Sequence, residues 1–400
     1  PPARATAATT SSRSVQHFPR AGSAFRCRSD STPEWRCATF PSLRSSVMRV
    51  NPDHRIHDLD AGSAPELDAI REAFPTLHWD LVTRTEEGWD HVVIICHGCS
   101  GEDALGHRDL VFRFPSDEQA LTQLPTEIAV LEYLAPQVEA ALPRYTHIPG
   151  REPESVSPAA HVATHVQTSA GADAESLVPF AGYPMVRGDR LTPELLHGLP
   201  VTEQTAVATQ LGALLSTLHI TDTTAPPMDL VAPSYQPENL DFVRGIVENN
   251  MPDVLTPDEM RTAREICDEV ATLQSTLLPK VFLHYDIYAR HLYWERGRAG
   301  GTESAVGSLG RLGLIDFTDM CIGDPAVDFA ELYEYGPRFV ENVLAHYVGR
   351  IDATFLDRAW TYQRLAGLYT LAGHLYYGEE TWEYARATFD RCRSPRRPLA

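Results

Sequence analysis

The amino-acid sequence predicts an α+β fold: an antiparallel sheet with a helix comes first, and a mainly helical part with a hairpin follows. Two apolar runs of strand length, residues 91–96 and 109–115, precede a segment of helical spacing at 117–135. Later helical patterns lie at 202–219, 257–277 and 360–377. Between the last two lies the third observation, residues 281–336, where two short segments each carry an aspartate between apolar residues.

The first half of the chain supplies the remaining sheet signals. Residues 65–74 have the pattern of a short helix, and residues 97–107 form a glycine-bearing loop that two strands flank. Such a loop could cover nucleotide phosphates, although its glycines do not match G-x-G-x-x-G. Residues 140–149 and 180–188 carry strand signals, and the Pro- and Ser-rich residues 150–177 between them predict a loop insertion.

The two aspartates, Asp286 and Asp316, stand thirty residues apart in sequence. Between them, residues 295–310 are rich in Gly and Ser, as in a hairpin loop. A strand, a turn and a second strand would therefore bring the two aspartates close together. Phosphoryl transfer needs such a pair, since one carboxylate orients or deprotonates the accepting hydroxyl and another binds the metal that bridges the phosphates. We interpret Asp286 as the catalytic base and Asp316 as the metal ligand.

The residues around both aspartates resemble the aminoglycoside phosphotransferase family, whose members have a protein-kinase-like fold of two lobes. The resemblance rests on His284-x-Asp286-x-x-x-x-His291 and on Ile315-Asp316-Phe317, followed by Gly323-Asp-Pro-x-x-Asp328. The family usually has Asn at position 291, and His there is similar to aminoglycoside 2''- and macrolide 2'-phosphotransferases. Through this resemblance His291 is expected to complete or support the metal site, directly or through a water. Mg²⁺ and either ATP or GTP are the expected cofactors.

The resemblance also implies a nucleotide site between the lobes. Arg113 matches the strand lysine that touches the phosphates, and Glu127 matches its helix partner. Lys280 is the only lysine in the chain, so no nearby lysine can take this role. Arg offers a planar fork where Lys offers a compact ammonium, so the exchange is not neutral. Met185 and Val186 match the hinge whose backbone meets the nucleotide base.

Acidic side chains after the second aspartate suggest the acceptor. Asp328, Glu331 and Glu334 are expected to bind the substrate, and aromatic residues lie among them. Carboxylates suit an aminoglycoside-type antibiotic or amino sugar, which carries ammonium groups. A macrolide, or a small metabolite phosphorylated by the same fold, remains the alternative, and a non-catalytic nucleotide-binding protein is a further one. His219 and His284 are expected to be structural.

Composition limits the partners. The formal net charge of −20 argues against nucleic acid or an anionic membrane and is compatible with a cationic small molecule. Seven cysteines at irregular spacings favour free thiols in a reducing compartment, and no apolar run reaches membrane-spanning length. We therefore expect a cytoplasmic enzyme, monomeric or weakly dimeric, with antibiotic resistance as a candidate role.

The first 47 residues differ from the rest. They hold seven Arg and two acidic residues, a charge of +5, which leaves −25 for the remainder. They also lack apolar periodicity, and Met48 opens a more ordinary sequence. We expect residues 1–47 to be a disordered tail or an upstream extension that is not native. The N-lobe is predicted at 60–186 and the C-lobe at 187–392.

Overall fold

A computed structural model describes residues 57–58, 64–85, 91–151, 178–234, 236–297, 309–378 and 381–399. All of them belong to one compact unit that spans residues 40–400. The predicted tail at 1–47 and most of the predicted insertion at 150–177 lie outside the described residues.

A five-stranded antiparallel sheet opens the fold, with its strands in sequence order. These strands are β1 (His57–Asp58), β2 (Leu81–Thr85), β3 (His91–His97), β4 (Asp109–Pro115) and β5 (Ala181–Pro184). The helices α1 (Pro65–Ala73) and α2 (Glu118–Leu134) pack against the sheet. Residues 140–149, which carry a strand signal, make only isolated bridges, such as Ala141 to Gly313.

The alternation of side chains along β4 places Arg113. Leu110 and Phe112 are fully buried in the cluster that contains α1. Val111 faces the other way, into the cluster that contains α2. Because successive side chains of a strand point to opposite faces, Arg113 lies on the α2 side together with Val111. The strand pattern thus turns its one cation toward the helix that carries Glu127.

The rest of the chain is mainly helical, as the sequence predicts. Its helices are α3 (Pro193–Gly198), α4 (Val201–Ile220), α5 (Gln236–Asn249), α6 (Pro257–Gln274), α7 (Pro337–Ala345), α8 (Phe355–Tyr377) and α9 (Trp382–Cys392). Helix α4 packs against α7, and its leucines Leu211, Leu215 and Leu218 are fully buried. A capping box of Thr256 and Glu259 begins α6. In the described ranges no helix is both long and apolar enough to cross a membrane.

Two small sheets carry the hairpin. One has the order β6 (Asp189–Arg190), β8 (Leu292–Arg296), β9 (Gly310–Leu314), and the other pairs β7 (Val281–Leu283) with β10 (Cys321–Gly323). The predicted hairpin is therefore present as β8 and β9, with Leu292 opposite Leu314. The pairing brings the loop before β8 beside the loop after β9.

Two short 3₁₀ helices, Val327–Phe329 and Glu331–Tyr335, follow β10. Asp followed by Pro, as at Asp324, is a common start of an α-helix, but no α-helix begins at this point. Asp324 does accept from the backbone N–H of Ala326 (3.2 Å), as a cap would. Its carboxylate is also held by two side-chain bonds from Arg358 and one from Tyr362, so buried ionic contacts fix this turn.

Candidate active site

Two loops that the sequence predicts to be catalytic meet at His291. The first catalytic loop precedes β8 and carries Asp286, and the second catalytic loop follows β9 and carries Asp316. The carbonyl oxygen of His291 accepts from the backbone N–H of Ile315 (3.0 Å), which ties the first loop to the second. The His291 ring lies between the two acids: Nδ1 is 3.3 Å from Asp286 Oδ2, and Nε2 is 3.5 Å from Asp316 Oδ2. The residues predicted to act together are therefore brought together by the hairpin.

The hydrogen bonds of His291 assign its tautomer. Nδ1 lies 2.9 Å from the carbonyl oxygen of Asp286, which can only accept, so Nδ1 carries the proton. Nε2 is then the ring nitrogen that faces the Asp316 carboxylate, and it can offer a metal its lone pair when it is unprotonated. An imidazole held in this way is oriented to share a cation with Asp316.

Asp316 divides its two oxygens between different tasks. Oδ1 accepts from Arg113 (3.0 Å) and from Thr318 (2.7 Å), whereas Oδ2 faces His291. Burial acts to raise the pKa of Asp316, but Arg113 and His291 outweigh it and hold this pKa below its ordinary value. Asp316 also has a left-handed backbone, with φ of 64°, a conformation that Asp tolerates better than most residues.

The residues present fit a metal that a phosphate helps to bind. In the described part of the chain no group of three or more His, Cys, Asp or Glu could hold a metal ion. Mg²⁺ commonly takes one or two protein carboxylates and completes its shell with waters and substrate phosphates. Asp316 Oδ2 provides such a carboxylate oxygen, and His291 Nε2 is a less preferred nitrogen beside it.

Arg113 is found in a different setting from the phosphate clamp that was expected. Its side chain is only 5% exposed, and Nη1 donates to Glu127 (2.5 Å) and to Tyr145 (3.1 Å). Nη2 lies close to Asp316, Thr318 and His91. The expected pairing with Glu127 is present. In addition, Arg113 bridges the first sheet to the second catalytic loop, a contact across 203 positions that the sequence did not indicate.

Asp328 is not available to a substrate, which corrects its expected role. It is 1% exposed, and it accepts from the backbone N–H groups of His284 (3.0 Å) and Tyr285 (2.7 Å). His219 Nε2 lies 3.0 Å from the same carboxylate. Asp328 thus holds the loop that carries Asp286, at a point where Tyr285 has a positive φ of 79°. Three partners and full burial leave it no room for a substrate group.

His284 joins the two loops from inside. The ring is fully buried, Nε2 donates to the carbonyl oxygen of Ile315 (3.0 Å), and Nδ1 accepts from the N–H of Asp286 (3.3 Å). Burial, with His291 nearby, lowers the pKa of His284 to about 4. The ring is therefore neutral, which this pattern of one donor and one acceptor requires. Both His284 and His219 have the structural roles that the sequence suggested.

Glu331 and Asp286 form a carboxyl pair. A side-chain hydrogen bond joins them, and Glu331 Oε2 is buried with no hydrogen-bond partner. Burial raises the pKa of Asp286 to about 7, to which Asp316 also contributes. Burial and the Asp286 carboxylate raise the pKa of Glu331 well above its ordinary value. Glu331 consequently carries the shared proton and donates it toward Asp286.

Glu334 lies on the same side of the loop but is engaged by backbone. Its Oε1 accepts from the N–H of Ala289 (2.6 Å). Burial raises the pKa of Glu334 to about 7, although the bond from Ala289 acts in the opposite direction. Of the three acids expected to bind substrate, Glu331 is the one whose carboxyl group combines contact with Asp286 and an unpartnered oxygen.

The hinge segment follows β5. The N–H of Met185 donates to the carbonyl oxygen of Asp109 (3.0 Å), so this one group is not available to a nucleotide base. The Val186 side chain is buried against the backbone of β9 near Gly313. Gly188, at φ of 116°, ends the segment where any Cβ would lie 2.5 Å from the carbonyl carbon of Trp294, so a side chain there would collide with β8.

The glycine-bearing loop at 97–107 lies at the wrong end of the sheet to cover phosphates. It connects His97 and Asp109, which are paired, whereas Arg113 pairs with Val93. Four residues along β4 correspond to roughly 13 Å. The other end of β3, at His91, is the end near Arg113, and the preceding residues 86–90 lie outside those described.

Comparison with known proteins identifies the class and then the family. The fold is that of a protein-kinase-like phosphotransferase, with an antiparallel sheet before a helical part that bears the hairpin. The sequence matches the phosphotransferase enzyme family APH over residues 101–368, and the chain belongs to this family. The predicted family, fold and enzyme class, a phosphotransferase with an alcohol group as acceptor, are thereby confirmed. A search of curated proteins finds no match.

Solved structures show the same fold at low sequence identity. The GDP and kanamycin complex of APH(2'')-IIIa has a TM-score of 0.63 at 20% identity, covering 82% of this chain and 98% of that one. The streptomycin–ATP–APH(2'')-IIa complex has 0.52 at 16%, covering 84% and 97%. Macrolide 2'-phosphotransferase type I has 0.52 at 17%, covering 85% and 99%. Their ligands belong to those proteins.

Proposed function

We propose that this phosphotransferase moves the γ-phosphate of ATP or GTP to a hydroxyl group of an amino-bearing small molecule, such as an aminoglycoside-type antibiotic or amino sugar. The observation that carries the proposal is the meeting of Asp286 and Asp316 at the His291 ring. A base and a metal ligand on adjacent loops match the two requirements of phosphoryl transfer, orientation of the hydroxyl and neutralisation of the phosphates.

Each residue has a distinct task in this proposal. Asp286 orients the acceptor hydroxyl and receives its proton. Asp316 Oδ2 and His291 Nε2 would hold Mg²⁺, which when bound neutralises charge on the phosphates. Arg113 keeps Asp316 Oδ1 engaged, so that Oδ2 is directed to the metal position. The backbone from Val186 onward would meet the nucleotide base, since the N–H of Met185 is already bonded.

Glu331 supports an acceptor that carries an ammonium group. Its unpartnered buried Oε2 lies on a carboxyl group that contacts Asp286. A buried oxygen without a donor is destabilising, and an ammonium group beside the reacting hydroxyl would supply that donor. The ammonium would also take the place of the proton that Glu331 carries. Glu331 and Asp286 would then both be carboxylates, and the positive charge of the ammonium would offset their negative charges.

A mass-spectrometric screen tests the function. Purified protein with Mg²⁺ and ATP or GTP is offered aminoglycosides, macrolides and simple amino alcohols in parallel. We expect one added phosphate on an amino-bearing alcohol, and far less product with Asp286→Asn in the same time. Phosphate added only to macrolides would reject the amino-sugar preference and leave the transferase intact. No product with any acceptor, although nucleotide binds, would favour a nucleotide-binding protein without catalysis.

A further inference from the structure

His91 is a buried histidine beside the proposed nucleotide site, and the proposed function gives this residue no task. It is the first residue of β3, and its side chain is 4% exposed. Its Nδ1 lies 3.1 Å from Nη2 of Arg113, the same nitrogen that donates to Asp316. The ring therefore contacts Arg113, the residue that links the first sheet to the second catalytic loop.

The partner of His91 determines which ring nitrogen carries the proton. A guanidinium can only donate, so Nδ1 must accept and therefore has no hydrogen. Burial, with the charge of Arg113, lowers the pKa of His91 to about 3, so the ring is neutral. The single ring proton is consequently on Nε2, and Nε2 has no hydrogen-bond partner among the described residues.

A buried N–H group without an acceptor is an expensive arrangement. Leaving such a donor unpaired costs about 1–3 kcal/mol, so nearly all buried donors in folded proteins have a partner. The neighbouring acceptors already have donors: Glu127 receives Arg113 and Tyr145, and Asp316 Oδ1 receives Arg113 and Thr318. The acceptor that the Nε2–H group lacks is thus an oxygen that does not belong to these side chains.

A phosphate oxygen matches this missing acceptor. His91 directly follows residues 86–90, which connect β2 to β3, and lies at the end of β4 that carries Arg113. The proposed nucleotide places its phosphates at the neighbouring Asp316. An anionic oxygen accepts a shorter and stronger hydrogen bond than a neutral one, so it would offset the burial of the donor.

We propose that His91 is a nucleotide-binding residue whose Nε2–H donates to a phosphate oxygen of the bound nucleoside triphosphate, while Nδ1 positions Arg113. This inference rests on the proposed function, because it requires a nucleotide at Asp316. It assigns one side chain two separate tasks, and these tasks can be separated by substitution.

Two substitutions separate the tasks. In His91→Asn the amide oxygen can lie where Nδ1 lies and accept from Arg113, but no donor reaches the Nε2 position. In His91→Gln the longer side chain can place its N–H₂ at the Nε2 position, and the acceptor for Arg113 is lost. His91→Leu lacks both groups. His346→Gln is the matched control, since His346 is exposed and its side chain hydrogen-bonds only Thr209 among the described residues.

Equilibrium binding measures the effect without catalysis. Calorimetry with a non-hydrolysable nucleoside triphosphate and Mg²⁺ is compared with the unphosphorylated nucleoside, and melting curves establish that each variant is folded. We expect His91→Asn and His91→Leu to bind the triphosphate about tenfold more weakly than wild type, from the loss of one charge-assisted hydrogen bond. His91→Gln should remain within about threefold of wild type, and the nucleoside affinity should be equal in all.

The outcomes separate this inference from the proposed function. If His91→Asn binds the triphosphate as wild type does, His91 acts only through Arg113, and direct phosphate binding is rejected. Equal weakening for triphosphate and nucleoside would also reject it, as would wild-type binding by His91→Leu, since the orphan donor would then meet only water. If wild type binds no nucleotide at all, both the proposed function and this inference fail.

Discussion

Replacing Arg113 by Met should destabilise the protein strongly, because the substitution leaves a buried carboxylate without its partner. The Arg113 and Glu127 side chains are 5% and 2% exposed, and their nitrogen and oxygen lie 2.5 Å apart. Removing one member of such a pair typically costs about 3–5 kcal/mol. Tyr145 still donates to Glu127, so the lower part of that range is expected. Asp316 is 36% exposed, and its contact with Arg113 is left out of this figure.

The assay is thermal and urea unfolding of Arg113→Met against wild type. At roughly 2 cal/mol/K of unfolding entropy per residue, a chain of 400 residues loses about 1–2 °C per kcal/mol, so about 3 kcal/mol corresponds to a melting temperature lowered by roughly 4 °C. Adding Glu127→Leu should recover at least half of the loss, because the double variant no longer buries an unpaired charge. Arg261→Met is the control, since Arg261 pairs with Asp258 at the surface and should change little.

Two results would refute this reasoning. If Arg113→Met melts within a degree or two of wild type, Glu127 is not held by Arg113 in solution. If the double variant is less stable than Arg113→Met alone, the stabilisation comes from packing and not from the charge pair. Arg113→Lys gives a finer comparison: a lysine can keep Glu127, but it lacks the fork that holds Asp316 and His91 together. It should unfold close to wild type and bind nucleotide differently.

The remaining predictions concern the loops and the acceptor. Asp316→Asn should lower turnover by about two orders of magnitude, on the order of 3 kcal/mol of transition-state stabilisation, and steady-state kinetics at saturating Mg²⁺ would contradict this if the rate stayed near wild type. Asp328→Asn should lower kcat and the melting temperature while nucleotide affinity holds, because an amide cannot accept from both backbone N–H groups and His219; an unchanged kcat would show that this support is not needed. Glu331→Gln should raise the KM of the acceptor and leave the KM of the nucleotide unchanged. The wild-type KM of the acceptor should also rise with salt concentration, because salt screens the attraction between charges. An acceptor KM that ignores both changes would remove Glu331 from the binding site.

The sequence predicted those contacts that local pattern controls. A strand pattern put Arg113 on β4 and a helical pattern put Glu127 on α2, whereas the pairing of the two side chains was implied by the family resemblance. The hairpin follows from local pattern alone, because apolar runs around a Gly- and Ser-rich loop leave few other arrangements for Asp286 and Asp316. Neither element needed information about distant packing.

The sequence failed where a group had several candidate partners. Asp328 was expected to bind substrate because a motif shows the presence of a residue and not its direction, and the fold turns it inward toward the loop of Asp286. The resemblance placed the backbone of Met185 and Val186 at a nucleotide base, and it did not show that the N–H of Met185 is bonded to the carbonyl oxygen of Asp109. The bond from Arg113 to Asp316 depends on how the first sheet meets the hairpin, which no local pattern contains.

The central claim is that Asp286 assists transfer of a nucleotide phosphate to a small-molecule hydroxyl. The most direct measurement follows an isotopically labelled γ-phosphate into an amino-bearing sugar, with wild type and Asp286→Asn at equal nucleotide occupancy. The account predicts labelled sugar with wild type and a rate lower by about 10²–10⁴-fold in the variant, the usual contribution of a general base. Equal rates in the two proteins, or release of label only to water, would contradict it.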